Sequence, residues 1–300
     1  PFSITRYATP TLPHTLIPGS NNRYDFDVDI LVGTSPGDYD VNGRVVYSDV
    51  NDSQDSITES SADPDLLTIQ GFGSLAINEV TVVPDTVSHG QSHARVFVDY
   101  QNNGGAAIEI RNTNLDFSPI DDFNEDLENA NTPFTILGGQ RDTLEYSIII
   151  PSSGYTGNID VSASISGRDL NTGLDVNVDS VNAATFLIQS PANVRWVDGS
   201  TTPTTAQADT SVVFRLNVRN TGEAGVILNP VTTTLQLENT AINIQLSDTS
   251  DTFLAPDSAI TNLSFTETLI TGISEGEYNL ALTLNGISNG APFSSTIDVG

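Results

Sequence analysis

Asp99-Tyr100-Gln101-Asn102-Asn103-Gly104-Gly105-Ala106-Ala107-Ile108 lines up with Asn217-Val218-Arg219-Asn220-Thr221-Gly222-Glu223-Ala224-Gly225-Val226, 118 residues further on. Each stretch closes an alternating apolar run, Ala94 to Tyr100 in one copy and Ser211 to Val218 in the other. Alternation at period two marks a half-buried strand, and the Asn and Gly that stop it are turn chemistry. Both residue types accept positive φ, so they are expected to let the strand turn tightly into the next one. Downstream, Gly157-Asn158-Ile159-Asp160-Val161 matches Gly276-Glu277-Tyr278-Asn279-Leu280 at an offset of 119, and the match runs on through Gly167 and Gly286. A nearly constant offset leaves few insertions, so two whole copies of one unit are present.

A third copy is partial. Gly37-Asp38-Tyr39-Asp40-Val41 aligns with Gly157 to Val161, and Leu67-Thr68-Ile69-Gln70 aligns with Phe186-Leu187-Ile188-Gln189. Tyr24, Phe26, Val28 and Ile30 stand where Leu144, Tyr146, Ile148 and Ile150 stand in the second copy. The chain therefore divides into residues 1–70, 71–190 and 191–300, the first reading as the back half of a repeat without its front half. Half a sandwich exposes apolar surface and strand edges. Three readings follow: the front half lies elsewhere on the same polypeptide, a neighbouring subunit supplies it, or residues 1–70 form a reduced domain of their own. Short alternating strands at even spacing, with Gly, Asn, Asp, Ser and Pro between them, predict an all-β chain of tandem Ig-like antiparallel β-sandwiches. The acidic stretch Asp121 to Asn129 is the one candidate for a helical turn.

Composition narrows the function. The chain of 300 residues carries 38 acidic side chains against 10 basic ones, a formal net charge of -28. Such a field repels the phosphate backbone of nucleic acids and anionic membranes, and it favours solubility and bound cations. All the basic residues are Arg, so no Schiff-base, P-loop or catalytic Lys exists. Cys is absent, which excludes disulfides and thiolate sites. No apolar run approaches the roughly 18 residues of a membrane span. Met is also absent and the sequence starts at Pro1, so it is read as a processed product or a window of a longer protein.

The strand Glu79 to Val83, then Pro84, Gly90-Gln91 and the strand ending at Asn102-Asn103-Gly104, is matched by Val218-Arg219-Asn220-Thr221-Gly222 in the next copy. With the later Gly276-Glu277-Tyr278, this resembles the cell-adhesion-related Ig-like domain of bacterial and archaeal surface proteins, the CARDB type. The resemblance covers residues 75–300 and recurs in part over 1–70. It implies a spacer, adhesive or surface-layer role, extracellular and without catalytic residues.

Calcium is the sharpest local hypothesis. Asp49, Asn51, Ser53 and Asp55 place oxygen ligands at positions 1, 3, 5 and 7 of a loop, and Asp122, Asn124, Asp126 and Glu128 repeat the spacing. Neither has the Gly at position 6 or the Glu at position 12 of a full calcium loop, so solvated acidic loops are the competing reading. His89 and His93 are four apart but enter a strand, where four residues span about 13 Å, too far for one ion. Trp196 is the single Trp; a core ring is the favoured reading, with a sugar-stacking platform behind it. Asn51-Asp52-Ser53 and Asn262-Leu263-Ser264 match the N-glycosylation sequon.

These readings converge on a non-catalytic structural or adhesive module of an extracellular filament, sheath, stalk or surface layer. Its expected partners are other copies of itself or neighbouring repeats of a longer chain. The alternative is a carbohydrate- or ligand-binding accessory module of a secreted protein.

Overall fold

The structure is a computed structural model; it describes residues 2–6, 12–31, 33–61, 63–91, 94–247, 252–257, 260–269 and 274–299, with backbone only for residues 52–55. Among the described residues every regular element is a strand, 25 in all. The fold is all-β, built of Ig-like antiparallel β-sandwiches, as the alternation predicts.

The N-terminal unit holds β1 (Phe2–Arg6), β2 (Phe26–Ile30), β3 (Gly37–Val41), β4 (Arg44–Asp49), β5 (Asp52–Ser60) and β6 (Asp65–Ile69). They form three separate antiparallel pairs, β1 with β2, β3 with β6 and β4 with β5.

The middle unit holds β7 (Leu75–Val83), β8 (Thr86–Ser88), β9 (Ala94–Asn102), β10 (Ile108–Ser118), β11 (Asn124–Leu127), β12 (Phe134–Ile136), β13 (Arg141–Ile149), β14 (Gly157–Asp169), β15 (Asp175–Asp179) and β16 (Ala184–Gln189). One sheet runs β11-β13-β9-β7; the other runs β12-β10-β14-β16-β8, with β15 also on β14. Only the short β8–β16 pairing is parallel among these. Alternate residues of β9 and β13, Val96, Val98, Tyr100, Leu144, Tyr146 and Ile148, pack into one buried cluster with Ile108, Ile110, Ile159, Val161, Ile165, Phe186 and Ile188 of the facing sheet. Each such side chain stabilises the sandwich by about 1.5–3 kcal/mol before entropy is counted, and that burial is what fixes the period-two register. The stretch Asp121 to Asn129 makes no helical turn. Its centre is β11, paired with β13 from Asn124↔Ile149 to Leu127↔Tyr146, because Glu125 and Leu127 alternate inward and the strand ladder satisfies the backbone.

The C-terminal unit repeats this plan with β17 (Val194–Thr202), β18 (Ser211–Asn220), β19 (Val226–Leu228), β20 (Thr234–Leu237), β21 (Asn243–Gln245), β22 (Thr252–Leu254), β23 (Thr261–Thr268), β24 (Leu280–Ser288) and β25 (Ala291–Asp298). Its sheets are β17-β18-β23 and β21-β20-β24-β19-β22, with β25 on β24. Where β10 merely bulges between Ile110 and Asn112, the corresponding strand here breaks into β19 and β20. Pro230 has no N–H for the ladder, and the Asn229 side chain turns the backbone by accepting from the N–H of Val231 at 2.9 Å and of Thr232 at 3.3 Å.

Candidate functional site: the joints between units and an open apolar face

The motif that decides the fold is also a joint. Asn102 and Asn220, each fully buried, make the same four side-chain bonds. Asn102 Oδ1 accepts from the N–H of Ser74 at 3.1 Å and of Gly104 at 3.0 Å, while its amide donates to the carbonyls of Ala106 at 2.8 Å and Ile136 at 3.5 Å. Asn220 Oδ1 accepts from Asn193 at 3.1 Å and Gly222 at 3.0 Å, and its amide donates to Ala224 at 2.8 Å and Leu254 at 3.4 Å. Ser74 and Asn193 belong to the linkers arriving from the preceding unit. The Asn side chain thus ties the incoming linker, the turn after its own strand and the end of a short strand of the facing sheet, β12 or β22.

Gly104 and Gly222 are required by close approach and not by positive φ, which neither adopts. A Cβ on Gly104 would lie 1.9 Å from the Phe72 carbonyl oxygen, and one on Gly222 would lie 2.1 Å from that of Pro191. The linker backbone lies directly on the turn, held by Ala106 N–H to Gly71 O at 2.8 Å and Ala224 N–H to Ser190 O at 3.2 Å. The tight-turn reading of the motif is corrected accordingly. Positive φ does hold at Gly37, Gly157 and Gly276, at +146°, +131° and +159°; the first two open β3 and β14, and Gly276 lies just ahead of β24.

A second clasp recurs on the other side of each joint. Asn171, in the turn between β14 and β15, donates to Gln70 Oε1 at 2.6 Å. Asn289, in the turn between β24 and β25, donates to Gln189 Oε1 at 3.0 Å and to Ser88 Oγ at 3.0 Å, and its carbonyl accepts from Gln91 at 3.2 Å. Gln70 directly follows the last strand of the first unit, β6, and Gln189 ends the last strand of the second, β16. The first joint adds Asp169, which is buried and accepts from the N–H of Gly73 at 2.7 Å, Asn171 at 2.8 Å and Thr172 at 2.9 Å. Burial pushes its carboxyl up, but the Gly73, Thr172 and Asn171 N–H groups outweigh burial and hold it below the usual carboxylate range. The second joint adds Glu223, whose Oε2 accepts from the N–H of Ser190 at 2.8 Å and its hydroxyl at 3.0 Å; the backbone bond first, then the hydroxyl, lowers its pKa.

The N-terminal unit presents the opposite condition. The β3–β6 register, Gly37↔Ile69 to Val41↔Asp65, repeats the β14–β16 register, Gly157↔Ile188 to Val161↔Ala184, pair for pair. The β4–β5 register, Arg44↔Ser60 to Ser48↔Ser56, repeats Ser164↔Asp179 to Arg168↔Asp175 of β14 and β15. β1 lies on β2 as β11 lies on β13, with Ser3↔Asp29 and Arg6↔Phe26 in the places of Asn124↔Ile149 and Leu127↔Tyr146. The side chains that fill the core in the middle unit are bare here. Phe26, Val28, Ile30 and Val45 are 55%, 40%, 52% and 47% exposed, against 3%, 0%, 1% and 1% for Tyr146, Ile148, Ile150 and Ile165. No described strand stands where β7 to β10 stand in the middle unit.

The candidate calcium residues fall into two settings. Asp49 ends β4 and its Oδ1 accepts the Asn51 N–H at 2.8 Å, the bond Asp169 makes to Asn171; the side chains of Ser53 and Asp55 lie outside the described residues. Asn124 and Asp126 lie on β11, Asp122 precedes it and Glu128 follows it, accepting from Ser147 Oγ at 2.5 Å. A strand separates alternate residues by about 7 Å, so these four spread along an edge. Among the described residues no three His, Asp or Glu side chains group as a metal site. His89 Nδ1 donates to the Pro151 carbonyl at 3.0 Å, and His93 lies outside the described residues. Trp196 sits on the edge strand β17 and is 39% exposed; the core reading of that ring is not met, because an edge strand has no neighbour to cover its outer side. Sequence reasoning missed Asn171, Asn289, Gln70 and Gln189, although Gln70 and Gln189 stood within the aligned stretches.

No protein-family profile matches the chain, and no characterised protein sequence matches it. Solved structures match much of the chain's length, but only loosely. The secreted serine protease VesC from Vibrio cholerae matches 70% of the chain at 14% identity and a TM-score of 0.27, and the chain spans 49% of that protein's length. The D00-D0 domain of intimin matches 76% of the chain and 99% of its own length at 12% identity and a TM-score of 0.27. The Escherichia coli chaperone DraB matches 76% and 98% at 13% identity and a TM-score of 0.25. At such scores the likeness is to β-domains in general and carries no function to this chain.

Proposed function

We propose that the chain is a non-catalytic structural or adhesive module of an extracellular filament, sheath, stalk or surface layer, its β-sandwich units serving as spacers of CARDB-like type. The observation that carries this reading is the repetition of the joint. A buried Asn, a glycine under the linker and an Asn-to-Gln clasp occur at both unit boundaries. A chain whose boundaries are built alike propagates one geometry from unit to unit, which is what a spacer needs and a catalyst does not. The acidic surface, the absence of Lys and Cys, and the lack of any grouped reactive side chains among the described residues are consistent with it. Its partners are further repeats or further copies of itself, and calcium serves as a counterion to the acidic surface.

Small-angle scattering on residues 1–300, wild type and Asn289→Ala, tests the reading. One extended particle length is expected for the wild type, and a shorter, broader distribution for the variant. Identical broad distributions for both would overturn it, since joints that do not fix geometry make no spacer. The exposed ring of Trp196 keeps a second reading, a carbohydrate-binding module. Glycan-array binding abolished by Trp196→Ala would replace the first reading with this one.

A further inference from the structure

We propose that residues 1–70 are the second half of a third repeat, and that its first half, four strands of the class of β7 to β10 on the same polypeptide ahead of β1, covers the open apolar face. The inference concerns a surface and its occupant, and it holds whatever object the repeats build.

Three independent observations specify the occupant. The first is register. β3, β4, β5 and β6 pair as β14, β15 and β16 do, and β1 pairs with β2 as β11 does with β13. In the middle unit β13 carries β9 on its other edge, and β14 carries β10 on its other edge. The corresponding edges of β2, β3 and β4 have no partner strand among the described residues, so the covering piece must offer one strand to each sheet. The second is the apolar set. Phe26, Val28, Ile30, Val41 and Val45 occupy core positions and are all exposed. Only a complementary apolar layer, and not a polar ligand, recovers their burial energy. The third is the joint. Asp49 and Asn51 hold the bond that Asp169 and Asn171 hold. In the middle unit that pair serves the linker entering β7, through Gly73 N–H and Gln70. A turn prepared for an incoming linker implies that a linker, and the first strand after it, arrives there.

The same polypeptide is the source that costs least. In the middle unit only residues 119–123 separate β10 from β11, so a strand laid along β3 and β4 reaches β1 through a short link with little closure entropy. A second copy has no such strands to lend, because its own β7 to β10 are committed to its own core. One position departs from the pattern. Tyr47 stands at the place of Gly167, where a Cβ would come within 2.5 Å of the Glu109 carbonyl oxygen, so the covering strand must bulge there as β10 does one residue later.

The experiment joins residues 71–121 directly ahead of Pro1 of the 300-residue chain, once with Tyr47 and once with Tyr47→Gly. Amide exchange at Val28, Val41 and Val45 and binding of the apolar dye ANS are read for both chimeras and the parent. The expected result is a parent that binds dye with those amides open. At least one chimera then shows dye binding abolished and protection raised about a hundredfold or more, as expected of core strands. The proposal is overturned if neither chimera gains protection. It is also overturned if the parent alone is protected at low concentration, meaning the half unit closes on itself, or if the parent's dye binding disappears on dimerisation, meaning a second copy is the occupant.

Discussion

Replacing Asn220 by Ala removes four bonds at once, and their geometry sets the cost. The N–H groups of Asn193, partly buried, and of Gly222, buried, lose their acceptor, and the Ala224 and Leu254 carbonyls lose a donor. Each such bond contributes about 0.5–1.5 kcal/mol net, and a group left dry costs about 1–3 kcal/mol. Partial relaxation of the turn brings the sum to roughly 3–5 kcal/mol, which for a unit of this size lowers its melting temperature by about 12–22 °C. Differential scanning calorimetry of the full chain measures it, with Asn102→Ala as the internal replicate. Each variant is expected to shift only its own unit's transition, and the double variant to show the sum, because the two sites share no partner. Asn220→Asp sharpens the test. It keeps the acceptor oxygen but points a second oxygen at two carbonyls, so at pH 7 it is expected to destabilise at least as much as Ala. A shift below about 3 °C for Asn220→Ala, or a wild-type melt for Asn220→Asp, refutes the idea that this side chain holds the joint.

Other outcomes follow from the same geometry. Asp169 has a folded pKa below its unfolded value of about 3.9, so its contribution is present above that value and lost as pH falls through the lower folded one. Acidification toward pH 2 should therefore expose the Gly73 amide to exchange, and Asp169→Asn should remove that pH dependence while costing about 2 kcal/mol at neutral pH. Gly222→Ala forces a methyl against the Pro191 carbonyl; loss of protection at Ser190 and Asn193 by hydrogen exchange, with the β24 core retained, is the expected pattern. Trp196→Ala removes a ring that is substantially exposed, and calorimetry should register less than about 2 kcal/mol, against 3–5 for a core aromatic. Calcium titration by calorimetry should give weak, salt-sensitive heats that Asp122→Asn and Asp126→Asn together barely change; a stoichiometric micromolar site lost in that pair would show that β11 does bind the ion.

The sequence carried the fold because period-two alternation and the repeat report the same burial twice. Val96, Val98 and Tyr100 against Phe214, Leu216 and Val218 need no partner to be read. The Asn of the motif was visible, but its role was not. An Asn before Gly is what a positive-φ turn also shows, and only the bond to the linker 28 residues upstream in sequence, Ser74 to Asn102, distinguishes the two. The clasp from Asn171 to Gln70 spans 101 residues and lies between unlike elements, so no local pattern encodes it. Asp49 and Asn51 illustrate the converse: oxygen ligands at alternate positions suit a cation, yet the same side chains at a hairpin turn bond a backbone N–H. The Asp121 to Asn129 stretch was misleading because acidic composition suppresses the apolar alternation that Glu125 and Leu127 keep. Glu125 is the informative residue there, its carboxyl raised first by burial against the sheet.

The chemistry of the joints fits the charge of the chain. Every ion pair among the described residues has at least one well-exposed partner, and such pairs contribute little and are screened by salt. With a net charge of -28, a joint built on carboxylates facing one another would be pushed apart at low ionic strength and would change with every change in salt. The clasps instead join neutral amides, Asn171 to Gln70 and Asn289 to Gln189, and the linker posts Asn102 and Asn220 are neutral and buried. The two joint carboxylates, Asp169 and Glu223, meet backbone N–H groups and not other acids. Repulsion is thus spread over the solvated faces, where it keeps copies from clumping, and is kept out of the boundaries, where it would bend the chain. This division of polar chemistry keeps the joint bonds insensitive to salt, as the proposed spacer role requires.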